Sequence, residues 1–190
     1  VSPGQVDVAL AELLAERDIR RVILQYCRGI DRMDPVLVRS CYHDDATDDH
    51  GSAIRTADDY VAWAFRLLRR YEMTMHLVAN MSIEVTGDVA LAETYGISFH
   101  RTAPDQPMDP KLNLISGFRF VDRFERRGEW RIAKRVITAE WSRVDDLEGR
   151  WPFPDSLRRG TRDDQDPVWW LVPELGLAHS PEAEAQQAEG

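Results

Sequence analysis

His76 and Asp31 are the two residues of this chain best suited to act together. An imidazole oriented by a carboxylate is a general base that works near neutral pH. The two stand 45 positions apart. Asp31 closes a helical run ending Tyr26-Cys27-Arg28-Gly29-Ile30-Asp31, and His76 sits in an alternating segment from Met73 to Val85. A fold that brings them together in a pocket would give a site able to remove a proton from carbon.

The elements that must position them are legible from hydrophobic period. A first helix is expected from about Val6 to Asp31, with Leu10, Leu13, Leu14, Ile19, Val22, Ile23, Tyr26 and Ile30 as its apolar stripe. Gly29 weakens its last turn. Pro35 suits a first helical position, so Val36 to Tyr42 reads as a short second helix. His43 to Gly51 reads as a polar turn or short strand. Thr56 and Asp59 have capping-box spacing and open a third helix to about Tyr71, with Tyr60, Trp63, Ala64, Leu67 and Leu68 on its inner face.

The period then changes to two. Strands are expected at Met73–Thr86, Val89–Arg101, Leu112–Arg126 and Glu129–Trp141, with hairpin turns at Gly87-Asp88 and Arg127-Gly128. The longer loop from Thr102 to Pro110 contains three prolines. Helices followed by an antiparallel meander predict an α+β fold, with the helices on one face of a curved sheet. On the first strand the odd positions, Met73 to Val85, are apolar, whereas Thr74, His76, Asn80 and Ser82 are polar. If the polar side lines a cavity, the apolar side needs another cover, and a partner subunit is the simplest one.

The organisation is one domain at 1–142 and an extension at 143–190 that docks by its aromatics on the domain or a neighbour. Trp151-Pro152-Phe153-Pro154 and Asp166-Pro167-Val168-Trp169-Trp170 hold three of the six tryptophans in a stretch without regular period. Ser180 to Gly190 is polar and expected to fray. With 43% hydrophobic residues the chain can form a core, and a net charge of −9 argues against nucleic acid and anionic membranes as partners. Cys27 and Cys41 fall in apolar helical patterns and read as buried reduced thiols, which suits the cytoplasm. Val1 to Asp18 lacks the pattern of a secretory signal, and no apolar run approaches the roughly 18–20 residues of a membrane span.

Taken in order, several motifs resemble the NTF2-like superfamily in its SnoaL-like branch. They are Asp31 after the first helix, His43-Asp44-Asp45-Ala46, His76 with Asn80, Thr86-Gly87-Asp88-Val89-Ala90, and Gly128-Glu129-Trp130-Arg131-Ile132 followed by Arg135. The resemblance covers about residues 8–142 and implies a cone-shaped α+β fold. Within it, the Asp/His pair is similar to that of scytalone dehydratase, gamma-hexachlorocyclohexane dehydrochlorinase and bile-acid 7α-dehydratase, all cofactor-free. The bile-acid enzyme's pattern also has a tyrosine and a late-strand arginine, matched here by Tyr26 and Arg135. The dehydrochlorinase has a lysine in place of Tyr26, and scytalone dehydratase a tyrosine in place of Ile30. The acidic residue of the next strand falls near His100, a departure.

The resemblance implies His76 as base, Asp31 as its orienting partner, Tyr26 as donor to a developing oxyanion and Arg135 as holder of an anionic group. Tyr26 also lies on the apolar stripe, where a core tyrosine is equally expected. Asn80 and His100 are expected to share the cavity of His76 and bind substrate. Tyr42 and His50 are further substrate-binding candidates. The His43–His50 run matches no zinc or calcium loop, so no metal is expected. The partner is then a small, largely apolar cyclic molecule, with a homodimer or homotrimer formed through the outer sheet face. Three readings stay open: a cofactor-independent lyase, a double-bond isomerase such as ketosteroid isomerase, and a non-catalytic subunit of the same fold.

Overall fold

Three helices precede most of a six-stranded sheet in the computed structural model, which describes residues 3–51, 53–103, 112–146 and 153–169. Helix α1, Pro3–Asp31, buries Ile19, Val22, Ile23, Tyr26 and Ile30. Its earlier stripe residues Leu10, Leu13 and Leu14 stay exposed, because the first turns extend past the core. Gly29 has a packing role: a Cβ there would stand 2.6 Å from Val38 Cγ2, so only glycine lets the helix end lie against α2. Helix α2, Pro35–Ser40, is capped by Asp34, whose carboxylate accepts the Leu37 N–H at 2.8 Å. It ends two residues before the expected Tyr42, which instead begins strand β1, Tyr42–Asp49.

Strand β2, Ile54–Thr56, leads into helix α3, Ala57–Leu68. The Thr56 hydroxyl accepts the Asp59 N–H at 3.2 Å and donates to the Asp59 carboxylate at 2.9 Å. Strands β3 (Tyr71–Thr86), β4 (Val89–Thr102), β5 (Leu112–Arg127) and β6 (Glu129–Asp146) form the expected meander. Its tight turns place Gly87 at φ 59° and Gly128 at φ 94°.

The sheet order is β2-β1-β6-β5-β4-β3, and β1 pairs parallel with β6. This corrects the reading of the sheet as wholly antiparallel; of the two readings of 43–51, turn or short strand, the structure has the strand. The sequence Tyr42-His43-Asp44-Asp45-Ala46-Thr47-Asp48-Asp49 has no apolar alternation because its buried positions include His43 and Asp48. The class is nonetheless α+β, with helices against one face of a curved, open sheet.

Strand β3 contains the irregularity that decides what its faces do. Val78 pairs with Gly96 and Met81 with Thr94, so Ala79 and Asn80 together oppose Tyr95 in a β-bulge. Up to Val78 the even positions Thr74, His76 and Val78 are the less exposed ones. After the bulge these are Met81, Ile83 and Val85. The extra residue therefore lets one strand turn a polar side inward at one end and an apolar side inward at the other.

Candidate active site

The end of α1 meets the first half of β3, which brings Asp31 to His76 across 45 residues of chain. One carboxylate oxygen of Asp31 bonds His76 Nδ1 at 2.7 Å, and the other accepts the His76 backbone N–H at 2.8 Å. Both side chains are mostly buried, at 11% and 14% exposure. Burial alone would raise the Asp31 pKa, but the bonds from His76 outweigh it and hold the carboxyl below its usual 3.8. A carboxylate at Nδ1 fixes the Nδ1–H tautomer, leaving the lone pair on Nε2. That nitrogen has no hydrogen-bond partner among the described residues. The arrangement suits a base whose free nitrogen faces a reacting group.

His100 joins this pair. Its residue pairs with Thr74 across the strands, and its ring lies 5.6 Å from that of His76 and 4.9 Å from that of Tyr71. Its Nδ1 is buried without a partner among the described residues. Burial, together with the neighbouring His76, pushes its pKa down from 6.5 to about 4, so it is neutral at physiological pH. Phe118 supplies an apolar wall 6.0 Å from the His76 ring. Gly96 makes room for that ring, since a Cβ there would stand 2.4 Å from Phe118 Cζ. Opposite His76, Ser98 keeps the neighbouring strand position small.

The other candidates divide. Tyr26 and Arg135 do not join His76 but form a second constellation, reached through Phe118 and Phe120. Arg135 is fully buried and gives its Nε and Nη2 donors to the two oxygens of Asp122, each at 2.7 Å. Its guanidinium lies 4.1 Å from the Tyr26 ring centroid and 3.9 Å from that of Phe120. The expectation that Arg135 offers its fork to a substrate anion is therefore corrected: Asp122 already fills it. Tyr26 is corrected likewise, because its hydroxyl bonds the Tyr60 hydroxyl. Burial pushes its pKa well above the ordinary tyrosine range.

Tyr42 and His50 belong to this same cluster. The Tyr42 hydroxyl donates to Asp48 at 2.7 Å, His50 Nδ1 bonds the other Asp48 oxygen, and His50 Nε2 meets the Tyr60 hydroxyl at 3.3 Å. Asn80 is displaced from the side of His76 by the bulge and is exposed. Among the described residues no group of three His, Cys, Asp or Glu side chains is placed to hold a metal ion. Cys27 and Cys41 are free and buried, and burial pushes both thiols up to about 12.

Two residues near these sites carried no legible signal. Asp122 reads as an ordinary polar position in β5, and only its pairing with Arg135 across β5 and β6 reveals its role. Arg162 lies in the aperiodic C-terminal segment, yet it bonds the backbone of Leu68 and Tyr71. The same segment reaches the end of α1: Arg28 stands 5.6 Å from the Trp169 ring, and Arg32, just past the helix, donates to the Thr161 carbonyl at 3.4 Å. Phe153 is exposed under Arg159. The expectations for Trp151, Trp170, Ser180–Gly190 and most of the Thr102–Pro110 loop lie outside the described residues.

A model of the SnoaL-like domain matches residues 11–136, most of the chain and all of the His76–Asp31 site. The chain belongs to the SnoaL-like family. The fold of this SnoaL-like domain recurs in crystal structures of low sequence identity. Kfla4162 of Kribbella flavida is 18% identical, with a TM-score of 0.64 over 70% of this chain and 95% of that one. A candidate scytalone dehydratase of Novosphingobium aromaticivorans is also 18% identical, with a TM-score of 0.62 over 81% and 99%. A type 2 hexachlorocyclohexane dehydrochlorinase is 18% identical, with a TM-score of 0.63 over 78% and 97%. No curated protein matches. The SnoaL-like domain thus has the NTF2-like fold, and its structural neighbours include proteins named for dehydration and dehydrochlorination. No helix among the described residues is long and apolar enough to cross a membrane.

Proposed function

We propose that this SnoaL-like domain is a cofactor-independent lyase of the dehydratase or dehydrohalogenase type, acting on a small, largely apolar cyclic or polycyclic molecule. The observation that carries this reading is the His76 imidazole held by Asp31 at Nδ1 and left unpartnered at Nε2. His76 Nε2 takes a proton from a carbon next to the one bearing the leaving group. The electrons of the broken C–H bond form the C=C bond as the C–O or C–halogen bond breaks. Asp31 stays ionised and stabilises the imidazolium. That imidazolium returns its proton to a departing hydroxide, giving water, whereas a halide leaves as the anion and the imidazolium gives its proton to solvent water. His100 is neutral, so it can donate one hydrogen bond to a substrate carbonyl without placing a second cation beside the imidazolium.

The test is proton exchange. Hydroxylated cyclic and polycyclic ketones are incubated with the protein in deuterated water and followed by NMR. Wild type is expected to exchange the acidic C–H and release water, and His76→Ala to do neither while remaining folded. Exchange with movement of the double bond and no loss of water would favour the isomerase alternative. Equal behaviour of wild type and His76→Ala on every ketone would remove the base.

We propose further that a second copy of the chain covers the outer sheet face. Leu77, Ile97 and Trp141 form a row there across paired strands, the Trp141 indole lying over Gly117, and all three are well exposed. Trp141→Glu should lower the mass measured by light scattering to that of one chain; an unchanged multimer would reject this face as the interface.

A further inference from the structure

Arg162 keeps a buried guanidinium edge without a partner among the described residues, close to the His76 site. Its Nη1 is spent on the backbone, donating to the Leu68 carbonyl at 3.1 Å and to the Tyr71 carbonyl at 2.6 Å. The Leu68 carbonyl belongs to the last turn of α3, where carbonyls lack helical partners and the helix dipole favours a cation. Those two bonds fix the guanidinium at the junction of α3 and β3. Its Nε and Nη2 are buried and have no hydrogen-bond partner among the described residues. Buried donors are rarely left unmade, because each costs the full desolvation of the group.

The junction adjoins the proton-abstracting pair from two sides. Tyr71, whose carbonyl anchors Arg162, packs its ring 4.9 Å from His100, and His100 packs 5.6 Å from His76. The residue before Arg162 bonds Arg32, the residue after Asp31. Electrostatic coupling follows the same path. Burial pushes the Arg162 pKa down, Asp31 opposes that shift, and Arg162 in turn helps keep His100 uncharged.

The Nε–Nη2 edge is the fork that takes two oxygens of a planar anion in parallel hydrogen bonds. Arg135 shows how this chain fills such an edge, with both oxygens of Asp122 at 2.7 Å. Arg162 has the same edge without a carboxylate among the described residues. Arg32 is occupied with Asp166 at 3.8 Å and with Thr161, so among the described residues the open Arg162 edge is set against one ionised carboxylate, Asp31. That balance suits a singly charged planar group better than a phosphate dianion, which would add a second negative charge facing Asp31.

We infer that the Nε–Nη2 edge of Arg162 binds a carboxylate carried by the substrate and so anchors it against the His76–Asp31 pair. This rests on the reading of that pair as the reacting centre. It deepens that reading by naming the substrates as apolar ring compounds bearing a carboxylate. The C-terminal segment then contributes a specificity-determining residue.

Calorimetry on the full chain tests it with three probes: naphthalene-2-carboxylate, naphthalene-2-carboxamide and 2-naphthyl phosphate. Wild type should bind the carboxylate roughly 10-fold or more tighter than the neutral amide, as expected for a charge-assisted bidentate contact. Arg162→Gln should bring that ratio near one. Arg162→Lys, which keeps the charge and can still reach the carbonyls, should fall between. Thermal melts of each variant establish that it is folded. His76→Ala should keep the wild-type ratio whatever its turnover, so a failed base and a failed anchor give different results. A preference that survives in folded Arg162→Gln would overturn the inference. So would a wild type that does not discriminate, binds none of the probes, or prefers the phosphate.

Discussion

Two histidine–aspartate pairs occupy this domain, and they differ in what happens at the far side of the ring. In both, Nδ1 meets a carboxylate. His50 Nδ1 bonds Asp48, its ring stacks on Tyr60 with centroids 4.5 Å apart, and its Nε2 meets the Tyr60 hydroxyl. Tyr26, Tyr60, His50 and Asp48 are joined in one continuous chain of hydrogen bonds. Every nitrogen of His50 is thereby spent. His76 has the same start and an open end. A histidine oriented by a carboxylate is thus a base only where its second nitrogen is left for a substrate, and the residue types alone do not distinguish the two cases.

The largest expected effect separates the pairs by activity. On a substrate found by the exchange experiment, His76→Ala should lower turnover by about 10²- to 10⁴-fold, the usual worth of a general base. His50→Gln should leave turnover per folded molecule as it is while lowering stability in urea by about 1–3 kcal/mol, through the Asp48 oxygen it leaves poorly paired. If the two variants lose activity equally, the contrast between open and closed pairs is wrong.

Stability tests sharpen the other half. The closed pair sits beside the fully buried Arg135–Asp122 ion pair. Arg135→Met leaves the Asp122 carboxylate buried and uncompensated and should cost about 3–5 kcal/mol in urea melts. Adding Asp122→Leu to the same chain should recover most of that loss, because the penalty comes from the stranded charge. A double variant no more stable than the single one would mean that the pair holds the sheet by geometry rather than by charge balance.

Acid distinguishes the surroundings of the open pair. His100 has its pKa lowered from 6.5 to about 4. Between those values the unfolded chain binds a proton that the folded chain does not, so stability falls as pH drops from 6.5 towards 4. The loss is about 3 kcal/mol at most. Asp31 adds a second loss at lower pH. Its carboxyl is held below 3.8, so its contribution is present above that value and disappears as pH falls through the folded pKa. Urea midpoints at pH 7.5 and 4.5 should therefore differ in wild type and differ less in His100→Gln. An equal slope in both would place the acid sensitivity elsewhere.

What the sequence made legible was the part written in local chemistry. The Thr56 cap, the glycine turns after β3 and β5, and the meander follow from residue type and period. So does the meeting of Asp31 and His76, given the resemblance to a family. What stayed hidden depends on pairing at a distance. Strand β1 buries Asp48 beside Tyr42 and Ala46, so its inward face carries no hydrophobic signal. The Arg135 fork looked available until β5 supplied Asp122. Arg162 lies in a stretch whose only visible features were aromatic, and its place is set by two backbone carbonyls that no side-chain pattern announces.

The smallest expected effect concerns the bulge that keeps the open pair inside. Strict alternation from His76 puts Asn80 on the same side, two pleats along. The structure inserts Ala79 and Asn80 opposite the single residue Tyr95, which carries Asn80 outward and turns Met81, Ile83 and Val85 towards the helices. An exposed asparagine on that face contributes little, so Asn80→Ala should change stability by no more than about 0.5 kcal/mol and leave substrate affinity as it was. A clear loss of affinity in Asn80→Ala would mean that the strand runs regular when substrate is bound. The polar side of β3 would then extend past Val78, and the substrate contact would reach beyond the two histidines.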